Sequence, residues 1–161
     1  MNPEQMTLAE IYQGWEEYQR KIVAALAPLT AEQLAFRAAP SLRPIGNIAA
    51  HMIGARARWF HNLLGEGGAE MEALARSDRP GTPTLSATEL VQRLEATWRL
   101  MTEARTRWTP ADWERTYPGE DGDPTVLTKS WVIWHLIEHD AHHGGEISLT
   151  LGMHGLAAPD L

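Results

Sequence analysis

The chain contains no cysteine. Disulfides and thiolate metal sites are therefore excluded, and any bound metal must be held by His, Asp, Glu or water. No stretch approaches the roughly 18 apolar residues that a membrane helix requires. The opening MNPEQMTLAEIYQGWEEYQRK lacks a basic start followed by an apolar run, so no secretory signal is expected. Positive charge is scarce too. Fourteen basic residues face 21 acidic ones, for a net charge of −7, which disfavours nucleic acid or an anionic membrane as the main partner. A local basic patch is not thereby excluded, with Arg56, Arg58, Arg105 and Arg107 as its candidates. Alternating apolar runs are missing as well, so no β-strand is predicted. These absences lead to the expectation of a soluble, cytoplasmic protein, and 161 residues suffice for one domain, spanning 1–161.

What is present is helical periodicity. Thr7 and Glu10 form a capping-box pattern that predicts a helix start. Leu8, Ile11, Trp15, Tyr18, Ile22 and Leu26 then recur at spacings of three and four, and Pro28 ends the helix. Thr30-Ala-Glu-Gln33 predicts a short helical turn to about Phe36. A second long helix carries Ile45, Ile48, Met52, Trp59 and Leu63 on one stripe and stops at Gly65.

Residues 65–85 hold four glycines and two prolines and read as a long crossover, with one helical turn near Met71 to Arg76. The box Ser86-Ala-Thr-Glu89 opens a third helix with Leu90, Leu94, Trp98 and Met101 inward. Thr109-Pro110-Ala-Asp112 starts another short turn, with proline at its favoured first position. After turn-forming residues at 117–124, a last helix runs from about Thr128 to Leu151 and stops at Gly152. The expected fold is all-α: a four-helix bundle with a long crossover and short extra helices.

Four of the seven histidines fall within HLIEHDAHHGG, residues 135–145. An α-helix turns about 100° per residue, so His139 and His143 are offset by only about 40° and project from one face. Glu146, seven beyond His139, returns to within about 20° of that direction, where it can orient a ligand or act as a base. His135 and His142 diverge from this line. With Trp134 they are candidates for the rim of a pocket. Aromatic residues at helical spacing are ordinarily core, however, which is the expectation for Trp131 and Trp134 as for Trp15, Trp59 and Trp98.

Two imidazoles hold a divalent ion poorly, so a third ligand from another helix is expected. His51 lies on the apolar stripe with Ile48, Met52 and Ala55, whereas His61 can reach the polar side and His154 lies past the helix stop. His51 is therefore the choice. Gly144 and Gly145 each cost a helix about 1 kcal/mol relative to alanine. Because Ile147 and Leu151 continue the register, these glycines serve either close helix packing or room for a ligand. HDAHH also has the form of the zincin motif with Asp140 in place of glutamate. Aspartate is shorter by a methylene, so a protease reading is weak.

The run WHLIEHDAHHGGEISLTLG, residues 134–152, resembles the last-helix signature of the DinB/YfiT-like superfamily of metalloenzymes, and PIGNIAAH, residues 44–51, resembles its second-helix signature. The resemblance implies a four-helix bundle with a long crossover, often a homodimer, and a divalent ion on His51, His139 and His143. Glu146 matches a Glu or Gln of the family whose role is not fixed. Gly144 departs from the pattern, since relatives often carry arginine there.

Relatives with assigned activity use low-molecular-weight thiols such as bacillithiol, mycothiol or glutathione. The function so implied is a metal-dependent, thiol-dependent S-transferase acting on a small electrophile, with zinc or nickel as first candidates for the ion and the thiol as cosubstrate. The alternatives are a non-catalytic metal- or small-ligand-binding bundle and a metal-dependent hydrolase. A structural metal site would close its fourth position with a protein ligand, His142 or Glu146; a catalytic one keeps it open.

Overall fold

A computed structural model describes residues 3–118 and 126–159, and side chains from residue 10 onward. Four long helices form the bundle: α1 (Pro3–Leu26), α3 (Ile45–Arg58), α5 (Ala87–Arg107) and α7 (Lys129–Met153). Three short helices join them: α2 (Ala31–Leu34), α4 (Gly68–Leu74) and α6 (Pro110–Glu114). α3 packs against α5 and α7, and α1 packs against α5. Among the described residues, no helix is long and apolar enough to cross a membrane.

Local chemistry sets the boundaries. Thr30, Ser86 and Thr109 each accept a backbone N–H of the following turn while the third residue on, Gln33, Glu89 or Asp112, reaches back. Thr128 accepts the N–H of Trp131 and caps α7. The second long helix does not run as one α-helix to its stop: Trp59–Leu63 widen into a π-helical turn before Gly65, at φ 71°, ends it.

Three expectations need correction. α1 begins at Pro3, not at Thr7, since proline is favoured in a first turn. Ile11 is exposed, and Tyr12 takes the inward place there, against Trp113 and beneath Arg105. A two-stranded antiparallel hairpin, absent from the expected fold, links α6 to α7: β1 (Thr116–Pro118) and β2 (Val126–Thr128) pair Tyr117 with Leu127. These two residues are buried and their neighbours largely are not, so the period-two pattern exists but lasts only three residues per strand. Most of the predicted turn between them, residues 119–124, lies outside the described residues.

The apolar core is threaded by one polar network that touches all four long helices. Arg56 of α3 is buried and donates through Nη2 to Asp140 Oδ2 of α7 at 2.7 Å and to Gln19 Oε1 of α1 at 2.7 Å. Asp140 also accepts Trp15 Nε1 of α1 at 2.7 Å. Arg56 Nη1 reaches Thr97 Oγ1 of α5 at 3.5 Å. Trp15 in turn meets Trp98 edge-on at 4.9 Å between centroids. A buried charge pair must be satisfied from several sides, and here each helix supplies a side.

Gly144 explains the close approach of α1 to α7. A Cβ there would overlap Tyr18 Oη and stand 2.7 Å from Tyr18 Cζ and 2.8 Å from Ile22 Cδ1. The first glycine of the pair therefore serves packing, while Gly145 faces open space. Gly144→Ala gains about 1 kcal/mol of helix propensity but overpacks a contact worth about 1–3 kcal/mol. We expect a net loss of stability in chemical denaturation, relieved in the Tyr18→Ala background.

Candidate metal centre

His51 sits mid-way along α3, and His139 and His143 one turn apart on α7. Helix packing brings the three rings together: centroids stand 5.1 Å apart for His51 and His139, 4.9 Å for His51 and His143, and 4.4 Å for His139 and His143. One ring nitrogen from each lies within 4.8 Å of the others. The network beneath fixes the alignment, because Asp140 adjoins His139 in sequence and Arg56 lies five residues after His51.

The outer nitrogens of two rings are held by carboxylates. His51 Nδ1 donates to Asp78 Oδ2 at 2.7 Å, and His143 Nδ1 donates to Glu146 Oε2 at 2.6 Å. Burial pushes the Asp78 carboxyl up, but hydrogen bonds from Arg58 and His51 outweigh it and hold the group below its ordinary range. Asp78 is therefore an acceptor at neutral pH, and the proton stays on His51 Nδ1. That tautomer leaves the Nε2 lone pair free, the arrangement in which carboxylates orient metal-binding histidines.

The donor set fits a cation. His51 Nε2 and His139 Nε2 face each other at 3.3 Å, and His139 Nδ1 is buried without a partner. Nitrogens about 2.0–2.1 Å from one tetrahedral zinc ion stand roughly 3.3 Å apart. Three largely desolvated imidazoles offer converging lone pairs, and a divalent ion can satisfy them together. Among the described residues, no carboxylate joins this group of three.

Burial holds the His139 pKa down to about 3, helped by the neighbouring His143, His51 and His135 rings. Burial lowers that of His143 as well, against the opposing pull of Glu146. Both rings are thus neutral and ready to ligate at pH 7. In metal-free protein the unfolded chain protonates residue 139 as pH falls through about 6.5, while the folded chain resists until about 3. We expect stability to fall with pH across that window, and His139→Gln to flatten the decline in melting temperature.

The other predicted residues take outer positions. His135, Glu138, His139 and His142 line an open depression of about 340 Å³ that reaches His139 from solvent. His135 Nδ1 bonds Glu138 Oε1 at 3.0 Å, and its ring stacks on Trp131 at 5.0 Å. His142 is 69% exposed, with Nε2 3.9 Å from Glu146 Oε1. Trp134 does not border this depression: it is 60% exposed on the outer face of α7, about 100° around the helix from His135. Trp131 is exposed as well, so neither tryptophan belongs to the core.

Away from the centre, His154 stacks on Phe36 at 4.2 Å and its Nε2 bonds the carbonyl of Arg37. His61 lies in the π-helical turn. Asp140 points into the bundle, held by Trp15 and Arg56, so it cannot play the carboxylate of a zincin motif.

Asp78 was not visible in the sequence. It comes from the crossover and reaches α3 because Gly54 has no side chain: a Cβ there would overlap Asp78 Oδ1 and stand 2.7 Å from Arg58 Nη1. A glycine three residues after His51, on the same helix face, is the one available signal of a close approach. The candidate basic patch is also absent. Arg56 pairs with Asp140, Arg58 with Asp78 and Arg107 with Glu66, while Arg105 lies 3.8 Å over the Tyr12 ring. Asp78→Ala is expected to weaken metal affinity by about 10–100-fold, the usual effect of losing the partner of a ligand, as read by competition with a chromogenic chelator.

The family model of the DinB superfamily matches residues 15–147. The chain belongs to the DinB superfamily. Among solved structures, it is similar to a DinB-like protein from Bacillus cereus ATCC 10987, with a TM-score of 0.73 and 24% identity over 93% of this chain and 94% of that one. That likeness bears on the fold. No curated protein matches the chain.

Proposed function

We propose that this DinB-superfamily protein is a metal-dependent enzyme whose divalent ion is held by His51, His139 and His143, and that it transfers a thiol sulfur to a small electrophile. The observation that carries this reading is the convergence of three ring nitrogens with no carboxylate among them. Two of the rings are aimed from behind by Asp78 and Glu146. Neutral ligands leave the ion's charge uncompensated, and an ion so held lowers the pKa of a thiol or water that reaches it.

The chain's own residues do the rest. Asp78 and Glu146 lock two ring orientations, which makes Glu146 a positioning residue, since its oxygen is committed to His143. His135, Glu138 and His142 form a polar, solvent-facing mouth. With no cysteine in the sequence, the nucleophilic sulfur must arrive as a cosubstrate. In the transfer a C–S bond forms, the electrophile's leaving group departs with its electron pair, and the thiol proton passes to water.

Among the described residues no fourth donor lies within 4.8 Å of all three nitrogens, while His142 and Glu146 share His143 in a second group; a position left open favours a catalytic over a structural ion. The test is consumption of an aryl halide by metal-loaded protein with glutathione, bacillithiol or mycothiol, compared with His139→Ala. Turnover with at least one thiol, lost in the variant, supports the reading. Turnover of an ester without thiol would replace it with hydrolysis, and no turnover with any thiol would contradict it.

A further inference from the structure

We propose that the cavity on the outer side of His51 is an anion pocket, in which Arg43 and Arg79 hold the carboxylate or phosphate of a small molecule. The cavity, about 300 Å³, lies between the first turns of α3 and the crossover, and it opens on His51 and Asp78. Its size sits at the small end of ligand sites.

The argument begins from charge. In a chain of net charge −7, most arginines are committed to acids, carbonyls or aromatic rings. Among the described residues, only Arg20, Arg43 and Arg79 have a side chain with no hydrogen bond, ion pair or ring contact. Two of those three line this one cavity. The acid beside them is already spent: Asp78 takes Arg58 at 2.5 and 3.0 Å and His51 at 2.7 Å. The lining therefore carries two exposed guanidinium groups without a protein partner, in a chain whose net charge is −7.

Two further features suit an anion. α3 starts at the cavity, and its N-cap, Pro44, supplies no side-chain acceptor; the amides of Ile45, Asn47 and Ile48 donate to backbone carbonyls, and that of Gly46, which lines the cavity, has no such acceptor. Arg43 also borders a second hollow, lined by Ile48, Glu146 and Thr150, and so stands between the approaches to His51 and to Glu146. Guanidinium groups suit carboxylate and phosphate because their planar forks match two oxygens. The cavity meets His51 on the side bonded to Asp78, so an anion held there lies beside the ring that offers Nε2 to the metal centre.

Anion binding in this cavity does not depend on the enzymatic reading above. The full chain, metal-loaded and chelator-stripped, is titrated with succinate, with inorganic phosphate, and with succinamide as the uncharged control, following backbone amide shifts by NMR. Saturable shifts of the Gly46 and Asn47 amides are expected with succinate or phosphate and not with succinamide, and the stronger of the two anions names the group. Arg43→Gln and Arg79→Gln should each weaken binding about tenfold or more. Neither side chain has a partner to lose, so melting temperature should hold.

His139→Ala should leave anion binding within about twofold, which separates this site from the metal. Anion binding that survives in a protein shown to hold no metal would retain the pocket and remove the S-transferase reading. Equal succinate affinity in the arginine variants, or equal response to succinamide, would overturn the pocket whatever the metal does.

Discussion

Replacing His139 by alanine is expected to abolish stoichiometric metal binding while leaving the bundle folded. His139 stands against both other rings: its centroid is 4.4 Å from His143 and 5.1 Å from His51, and its Nε2 is 3.3 Å from His51 Nε2. Without it, two imidazoles on separate helices remain, with Asp78 bonded to the outer nitrogen of His51 and Glu146 Oε2 to that of His143. Loss of an outer partner typically costs 10–100-fold in affinity, so loss of a ligand should exceed about 100-fold. The variant also removes a ring whose Nδ1 is buried without a partner, so metal-free stability should hold or rise. Chelator competition gives the affinity, and denaturant titration of stripped protein gives the stability.

The second large effect is expected at Asp140. Arg56 and Asp140 are 1% and 0% exposed, and Asp140→Ala would leave the guanidinium buried with only Gln19 and Thr97 as partners. Removing one member of a buried pair costs about 3–5 kcal/mol, or roughly 6–20 °C in melting temperature for a chain of this size. Replacing both, as Arg56→Met with Asp140→Leu, removes the unpaired charge and should cost less than the single change. Calorimetry of the two variants separates the cases. A double variant worse than the single would mean that the network's bonds to Trp15 and Gln19, rather than the charge pair, hold the helices in register.

The parts of the molecule that were legible in the sequence are those governed by periodicity and caps. The phase of His139, His143 and Glu146 follows from 3.6 residues per turn, and the apolar company of His51 indicated its inward face. The capping boxes at Thr30, Ser86 and Thr109 are in place. What escaped depends on contacts between distant segments. Arg56 counted among the candidates for a surface patch although it lies four residues after Met52 on α3, because the partner that makes its burial tolerable, Asp140, is 84 residues away. Asp78 sits in a crossover without periodicity, and the hairpin strands are too short to display alternation. For Gly144, sequence left packing and ligand room equally open, and the Tyr18 ring on the neighbouring helix decides for packing.

The central claim is that three imidazoles from two helices share one divalent ion and leave part of its coordination open. X-ray absorption at the metal edge, on untagged full-length protein with metal content measured in parallel, tests it most directly. The account predicts one ion per chain with three imidazole nitrogens and the remaining positions filled by water oxygen. Protein without stoichiometric metal, or a shell that stays unchanged in His51→Ala and His143→Ala, would contradict it.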